Sequence, residues 1–267
     1  PIFRALPLLL VVMWVTAGAA PLKKACELPE GLYAHLQTLK QQYSEQVRSG
    51  YLNHREAADR TKAQMRVLDQ QYRVFLSTLC VAARHGNVQF VRQCCADADN
   101  DPMAEEICNL ARYLADERGT AERFVQTFPD TSRQIGVLWD LDEISNGPQG
   151  LLVNACGSTG LVDLYLNKLF GLAAIGDRQA LEKFVNLSQH AEGTYAEGLT
   201  DQIKSLFVEN PRLVLDQWTV IRRFPHIREI GTEFVGDEQA TAERNFHELC
   251  VRPSPACLEI ERDISPP

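Results

Sequence analysis

The sequence lacks the residue patterns of a metal site and of the common hydrolases. None of its eight cysteines belongs to a C-x-x-C pair, and no group of cysteines and histidines has the spacing of zinc ligands. His247 and Glu248 begin an H-E-x-x-H pattern, but Val251 stands where the second histidine is required. Ser158 lacks the glycine two positions before it that a G-x-S-x-G nucleophile elbow requires. We therefore expect no metal ion and no cofactor.

Strand patterns are also scarce. Few segments alternate strictly between apolar and polar residues, and no two of them are joined by a clear hairpin turn. Apolar residues instead recur every three or four positions, which is typical of amphipathic helices. Two such stripes precede residue 80: Leu32, Leu36 and Leu39, and then Met65, Leu68, Tyr72, Phe75 and Leu79. The pattern predicts an all-α fold.

Acidic residues outnumber basic ones, with 35 Asp and Glu against 27 Lys and Arg and a formal charge of −8 at pH 7. Proteins that hold nucleic acid or anionic membranes through charge usually carry an excess of Lys and Arg. We therefore expect no nucleic acid among the partners of this chain, although a local basic patch is compatible with the overall charge.

Residues 1–20 have the three parts of a secretory signal peptide. Arg4 precedes an apolar run, and the small residues Ala17, Gly18 and Ala19 follow it. The run is shorter than the roughly 20 apolar residues that a membrane-spanning helix needs. The sequence thus predicts an exported protein, periplasmic or extracellular, with no membrane span after signal cleavage.

An exported chain with eight cysteines is expected to form disulfides. Cys250 and Cys257 close a short loop that contains two prolines, and Cys95 and Cys108 flank a polar loop rich in Asp. The sequence therefore favours the pairs Cys250–Cys257 and Cys95–Cys108. Four cysteines share the other two bonds in an order that the sequence leaves open: Cys26, Cys80, Cys94 and Cys156.

Two stretches of the chain share a helical corner. Residues 79–95 and 169–185 each contain an apolar helical run that ends in Gly-Asn or Gly-Asp, at Gly86-Asn87 and Gly176-Asp177. Glycine closes a helix in the left-handed conformation, and Asn or Asp caps the next helix. Each copy is followed by an F-P…R-x-I-G segment, which lies at residues 128–136 and 224–231. Ordered self-similarity of this kind predicts two degenerate helical repeats.

The predicted architecture is a set of helical hairpins stacked as a short α-solenoid-like array with disulfides. Its parts are a signal peptide at residues 1–20, an N-terminal helical hairpin at 21–78, helical repeat 1 at 79–141, a junction and the start of the second unit at 142–168, helical repeat 2 at 169–235, and a disulfide-containing C-terminal tail at 236–267.

One segment has an enzyme-like pattern. Cys156-Gly157-Ser158-Thr159 precedes a predicted helix, and a cysteine at a helix N-terminus has a lowered pKa that favours nucleophilic attack. With a histidine as base, Cys156 would be the catalytic residue of a cysteine-dependent hydrolase or transferase. The competing interpretation is that Cys156 is oxidised in a disulfide, which fits the cysteine content of an exported chain better.

The candidate binding residues are aromatic and Arg side chains near the ends of the two repeats: Trp139, Trp218, Arg222 and Arg223. Such side chains are preferred anchors of protein interfaces, and core packing or a solvated face is their alternative role. The sequence therefore predicts an exported helical-repeat module that binds or scaffolds another envelope or extracellular protein. A Cys156-dependent enzyme and a purely structural envelope protein are the alternatives.

Overall fold

The computed structural model describes residues 26–115, 120–145, 161–225, 227–252 and 254–264. These residues confirm the all-α fold: they form thirteen α-helices and two 3-10 helices, and none of them lies in a strand. The α-helices are α1 (Leu32–Arg48), α2 (Tyr51–Arg84), α3 (Val88–Cys94), α4 (Pro102–Leu114), α5 (Thr120–Thr127), α6 (Ser132–Ser145), α7 (Leu161–Ala174), α8 (Arg178–Ser188), α9 (Thr194–Glu209), α10 (Pro211–Asp216), α11 (Trp218–Ile221), α12 (Glu238–Leu249) and α13 (Pro255–Ile264).

The chain divides into two compact units. Unit 1 comprises the described residues within 1–121 and 140–161, and unit 2 comprises those within 122–139 and 162–267. The predicted signal peptide at residues 1–20 lies outside the described residues, as does most of the predicted junction. No helix in the described part of the chain combines the length and the apolar character that crossing a membrane requires.

Unit 1 begins with a hairpin of α1 and α2. Gly50 joins the two helices with a φ of 108°, a conformation that side-chain-bearing residues rarely adopt. The two sequence stripes face its interior, where Leu36, Tyr72 and Leu79 are all fully buried. α2 continues to Arg84, so the predicted boundary at residue 78 falls inside this helix.

A polar stripe of α1 binds one carboxylate of α6. The Tyr33 hydroxyl donates to Asp140 Oδ2 over 2.9 Å, the Gln37 side-chain amide donates to the same oxygen, and Lys40 Nζ lies 2.6 Å from Asp140 Oδ1. These three residues are spaced at i, i+4 and i+7, so they share one face of the helix. In the same unit, Arg73 Nε donates to the main-chain carbonyl of Ile144 over 2.8 Å. Polar side chains thus fix the C-terminal half of α6 to α1 and α2.

Disulfides link the segments around α3 and α4 in unit 1 and close the short loop between α12 and α13 in unit 2. Both pairs that the sequence favours are formed, Cys95–Cys108 and Cys250–Cys257. A third bond joins Cys26 to Cys94, 68 residues apart, and ties the beginning of the described chain to α3. Cys80 is disulfide-bonded as well.

The two helical corners have the same geometry. Gly86 and Gly176 have φ values of 66° and 103°, which is the region that glycine tolerates best. At both corners the N–H of the next residue, Asn87 or Asp177, donates to the carbonyl five residues before it, over 2.9 and 3.1 Å. The Asn and Asp side chains accept the main-chain N–H three residues further on, over 3.2 and 3.0 Å. Each corner is therefore a Schellman motif followed directly by an N-cap.

The second signature of the predicted repeats does not keep one conformation. The Ile135-Gly136 pair lies within the α-helix α6, whereas Ile230-Gly231 lies within the 3-10 helix Ile227–Glu233. Both isoleucines are buried, with 2% and 1% of their surface exposed. The Ile-Gly pairs of the two segments thus have the same residue types and a buried isoleucine, but different backbone conformations. The duplication itself stays a prediction.

In unit 2, α7 and α9 run parallel. The Gln202 side-chain amide donates to Asn167 Oδ1 over 2.7 Å, and Asn210, directly after α9, donates from Nδ2 to the main-chain carbonyl of Ala174 over 3.0 Å. Residue numbers therefore increase in the same direction along both helices. Their C-terminal ends lie at the same end of the unit.

The helix α12 is parallel to α9 by the same criterion. Lys204 Nζ lies 3.5 Å from Glu238 Oε2 near the beginning of α12, and Asn245 Nδ2 donates to the Val208 carbonyl over 3.0 Å near its end. Between them Phe207 and Phe246 pack with ring centroids 5.8 Å apart, and both rings are fully buried. The C-termini of α7, α9 and α12 thus converge at one end of unit 2.

Candidate functional site

The sequence-predicted site residues lie in different surroundings. Cys156 falls outside the described residues. Trp139 is half-buried and stacks on Tyr195, with ring centroids 4.5 Å apart and the ring planes inclined at 33°. Trp218 is buried, with 4% of its surface exposed, and its indole N–H donates to Glu259 Oε2 over 2.7 Å. This geometry gives the Trp218 ring a packing role, while its predicted binding role stays untested.

The two predicted arginines follow α11 on its surface. Arg222 is exposed, and its guanidinium lies 4.0 Å from the Glu259 carboxylate that also accepts the Trp218 indole. Arg223 is exposed too and reaches a polar cleft in unit 2. Of the four predicted binding residues, Trp218 and Arg222 therefore share one carboxylate, and Arg223 borders a separate concave surface.

The polar cleft has a volume of about 300 Å³ and lies beside α8. Lys183 lines the cleft, and its Nζ donates to the main-chain carbonyls of Gln126 and Phe128 over 3.1 and 2.8 Å and to Asp130 Oδ2 over 2.8 Å. These three bonds use all three donors of the ammonium group. Asn186, one turn later, donates to the Asp130 carbonyl over 2.6 Å. Lys183 and Asn186 thus hold the end of α5 and the segment after it.

A second concave surface lies in unit 1 beside the Cys26–Cys94 disulfide, with a volume of about 620 Å³. Asp101 is the most buried carboxylate of its lining, and both its oxygens are engaged within the fold. Oδ1 accepts the N–H groups of Met103 and Ala104 at the start of α4, over 3.1 and 2.9 Å. Oδ2 accepts the Tyr72 hydroxyl over 2.6 Å and the Tyr33 N–H over 3.2 Å.

Tyr72 is held in its neutral form by this arrangement. Burial of the phenol raises its pKa, and the hydrogen bond to Asp101 and the negative charge of that carboxylate raise the pKa further, far above the usual range. The buried phenol is therefore a permanent donor to Asp101. The pair anchors the N-terminus of α4 to α2, which is a structural task.

Lys204 has a comparable task in unit 2. Burial alone would lower the pKa of its ammonium group, but hydrogen bonds to Asp201 and Glu238 and their charges outweigh that effect and raise it. Lys204 Nζ also donates to the Glu233 carbonyl over 3.0 Å, at the end of the second 3-10 helix. In the described segments, no group of three or more His, Cys, Asp and Glu side chains is placed to hold a metal ion.

A different kind of surface lies where the helices of unit 2 converge. We define the end surface as Ile175, Leu249, Val251 and Leu258, whose exposed fractions are 81%, 39%, 80% and 60%. Ile175 directly follows α7, and Leu249 is the last residue of α12. Val251 and Leu258 directly follow the bonded cysteines Cys250 and Cys257 in the chain. Exposed aliphatic groups concentrated at one end mark a candidate interaction surface.

Sequence reasoning did not identify the end surface or the side chains that create it. Asn210 and Asn245 connect the three helices by hydrogen bonds, but each looks in the sequence like an ordinary polar surface residue. Ile175 was visible only as part of the helical corner. No local signal relates these positions, because they come together through contacts 36 or more residues apart.

Comparison of this chain with the models of known protein families finds no match. Comparison with curated proteins and with solved structures likewise finds none.

Proposed function

We propose that this protein is an exported, disulfide-bonded helical module that acts by binding another protein. The observation that carries the proposal is the end surface of unit 2, where Leu249, Val251 and Leu258, next in the chain to the bonded Cys250 and Cys257, are exposed to solvent, as is Ile175 directly after α7. Exposed apolar groups are costly in water and are characteristic of protein interaction sites. The Cys250–Cys257 disulfide also favours a binding role, because a loop that is already fixed loses less conformational entropy on binding.

The charged groups that hold the helices together support a binding role over catalysis. Asp101, Asp140, Lys183 and Lys204 each bind several donors or acceptors of the surrounding helices, so their chemistry serves the fold. General acid–base catalysis needs a titratable group that can exchange a proton with a substrate. The Cys156-dependent enzyme remains the alternative function, and it requires a free thiol at a residue outside the described segments.

Export is part of the proposal. Disulfides persist in oxidising compartments and are rare in the cytosol, and the described residues contain three complete disulfide pairs. The signal-peptide pattern of residues 1–20 supports the same compartment.

Site-specific photo-crosslinking in cells that produce the protein tests the binding role. A photoreactive amino acid at Val251 or Leu258 is expected to give a discrete protein adduct. The same amino acid at Val235 is the matched control, since Val235 is 71% exposed but adjoins the opposite end of α12. Absence of any adduct at Val251 and Leu258, or an identical adduct pattern at Val235, would contradict a protein-binding role for the end surface.

A further inference from the structure

The concave surface of about 620 Å³ in unit 1 has a disulfide in its lining, and we call this surface the unit 1 cleft. Cys26 and Cys94 both line it, and Cys26 is only half-buried. Cys95 and Cys108 of the neighbouring bond are 1% and 0% exposed, and neither belongs to the lining. Exchange with an external thiol requires access to a sulfur atom, so these two bonds differ in their expected reactivity.

The unit 1 cleft is lined by one continuous segment of the chain and by buried side chains from other elements. Residues 26–31, which we call the strap, all contribute to the lining. Phe75 of α2, Ala104 of α4 and Ala98 contribute as well, and they are 2%, 2% and 6% exposed. We call these three residues the apolar lining. The strap therefore shares one cavity with three apolar side chains that have almost no contact with solvent.

The strap is attached to unit 1 at its two ends. At its C-terminal end α1 begins with Leu32, and the Tyr33 N–H donates to Asp101 Oδ2 over 3.2 Å. At its N-terminal end the bond from Cys26 to Cys94 joins it to the last residue of α3. Between these points the strap is largely exposed. A segment with so little burial gains little from packing, so the disulfide is the main attachment of its N-terminal end.

We propose that the Cys26–Cys94 bond is a thiol-exchange site, through which a dithiol detaches the strap and opens the unit 1 cleft. Reduction leaves the strap attached through α1, and its N-terminal end separates from α3. The apolar lining then becomes accessible to solvent, so unit 1 gains a binding surface that its oxidised form lacks. This inference concerns unit 1 alone and does not depend on the end surface of unit 2.

The reaction is a two-electron exchange in which a dithiol is oxidised and the protein disulfide is reduced. A thiolate of the dithiol attacks the sulfur of Cys26, the more exposed of the two cysteines. The bond to Cys94 breaks, and the Cys94 sulfur leaves as a thiolate that takes up a proton. The second thiol of the dithiol then attacks the mixed disulfide, which releases Cys26 as a thiol and leaves the dithiol as its own disulfide.

Partial reduction of the folded full chain tests the reactivity of this bond. Dithiothreitol is the probe, because exposed carboxylates line the unit 1 cleft and would repel an anionic thiol. Thiols are trapped with iodoacetamide at successive times and located by peptide mapping. We expect the Cys26–Cys94 pair to be labelled at least about tenfold faster than the buried Cys95–Cys108 pair. A short peptide with two cysteines, used in parallel, distinguishes a protein source of the dithiol from a small molecule.

Hydroxyl-radical footprinting of Phe75 tests whether the cleft opens. We expect oxidation of Phe75 to rise several-fold in the double variant Cys26→Ser, Cys94→Ser, which lacks the attachment and supplies no thiols of its own to exchange. The double variant Cys250→Ser, Cys257→Ser is the matched control, because it removes a disulfide of unit 2 and should leave Phe75 protected.

Tyr72 reports whether the hairpin of α1 and α2 stays folded. It lies one turn before Phe75, is fully buried and does not line the cleft, so we expect it to stay protected. If Tyr72 is oxidised together with Phe75, the footprint is repeated on the wild type after partial reduction. Loss of Tyr72 protection there as well would overturn a local opening.

The remaining outcomes separate the two parts of the inference. Labelling of the Cys26–Cys94 pair no faster than that of the Cys95–Cys108 pair would overturn the exchange site. Labelling at the expected rate, with Phe75 still protected in the reduced wild type and in the double variant, would overturn the opening of the cleft. Selective reduction by the peptide supports a protein dithiol as co-reactant, and selective reduction by dithiothreitol alone supports a small-molecule dithiol.

Discussion

Asn210 donates its side-chain amide to the main-chain carbonyl oxygen of Ala174 over 3.0 Å, while its side-chain oxygen accepts the N–H of Leu213. One side chain therefore caps the N-terminus of α10 and satisfies a carbonyl at the C-terminus of α7. The last carbonyls of a helix have no partner within the helix, and this bond supplies one across 36 residues of sequence. Asn245, within α12, likewise donates to the main-chain carbonyl of Val208 near the end of α9, so two side-chain amides connect the three parallel helices of unit 2.

The two tasks of Asn210 can be separated by substitution. Asn210→Asp keeps an oxygen that accepts the Leu213 N–H and removes the donor to Ala174, so we expect it to lower the free energy of unfolding by about 1 kcal/mol. Asn210→Ala removes both contacts and is expected to cost about 2 kcal/mol. Urea unfolding followed by circular dichroism measures the difference. A variant Asn210→Asp as stable as the wild type would mean that the bond to Ala174 contributes nothing, and equal losses in the two variants would mean that the cap on Leu213 contributes nothing.

The two Ile-Gly pairs allow a matched test of glycine substitution. A Cβ atom at Gly231 would lie 2.6 Å from the main-chain oxygen of Ile264 and 2.8 Å from its carbonyl carbon, so the backbone of α13 or of the 3-10 helix would have to move. We expect Gly231→Ala to lower the free energy of unfolding by about 1 to 3 kcal/mol. Urea unfolding of the full chain gives this value directly.

Gly136→Ala is the control, because a Cβ atom there meets nothing within 4 Å. Gly136 lies inside α6, where alanine is favoured over glycine by about 0.5 to 1 kcal/mol, so this variant should be more stable than the wild type. Opposite signs at the two positions would show that the two sequence signatures have different structural roles. A Gly231→Ala variant as stable as the wild type, or more stable, would contradict the close contact at Gly231.

Local features of this fold could be predicted from the sequence, and long-range ones could not. The corners at Gly86-Asn87 and Gly176-Asp177 follow from the residues themselves, since a positive φ and a capping side chain are properties of a few consecutive positions. The pairs Cys95–Cys108 and Cys250–Cys257 could be predicted from the sequence for the same reason, since both close short loops. The Cys26–Cys94 bond spans 68 residues and was one of several open pairings.

The candidate site was harder to predict from the sequence than the fold. Trp218 has the composition of an interface anchor, but only the tertiary structure shows that Glu259, 41 residues later, accepts its indole N–H in a buried position. The end surface depends on which helices run parallel, and only tertiary contacts such as the amide hydrogen bonds of Asn210 and Asn245 reveal that. A periodic apolar pattern identifies the buried face of a helix and says nothing about which helix ends meet.

Tyr72 makes the stability of unit 1 sensitive to alkaline pH. The folded state keeps its phenol protonated, whereas the unfolded chain releases that proton near pH 10.0. The unfolded state therefore binds fewer protons above pH 10, and the stabilisation, complete below that pH, is lost as the pH rises. Each further pH unit should cost about 1.4 kcal/mol.

The variant Tyr72→Phe tests whether the Tyr72 phenol makes the free energy of unfolding fall as the pH rises above 10. At neutral pH we expect it to be less stable by about 1 to 2 kcal/mol, because Asp101 loses a buried donor. Above pH 10 its stability should fall less steeply with pH than that of the wild type, so the two curves converge. Urea unfolding between pH 7 and about pH 11 measures both effects. Tyr43→Phe in α1 changes a half-buried tyrosine and should leave the pH dependence intact. A constant gap between wild type and Tyr72→Phe would refute the assignment.

The oxidation state of Cys156 separates the binding module from the cysteine-dependent enzyme. Six of the eight cysteines form the three described pairs, and Cys80 is also disulfide-bonded, so we predict Cys156 as its partner by elimination. Peptide mapping without reduction should recover one linked peptide that contains Cys80 and Cys156. Alkylation of the unfolded, unreduced protein should label no thiol. Reduction should then expose all eight, which controls for the efficiency of labelling.

A label on Cys156 before reduction would contradict this pairing and restore the nucleophile as a possibility, because the thiolate is the reactive form of cysteine and a disulfide sulfur has no thiolate. Cys80→Ser provides the matched test in that event. If Cys156 is bonded to Cys80, this variant releases one thiol, located at residue 156, and loses stability because a loop in the unfolded chain is no longer closed. If Cys156 is already free, Cys80→Ser leaves its labelling unchanged.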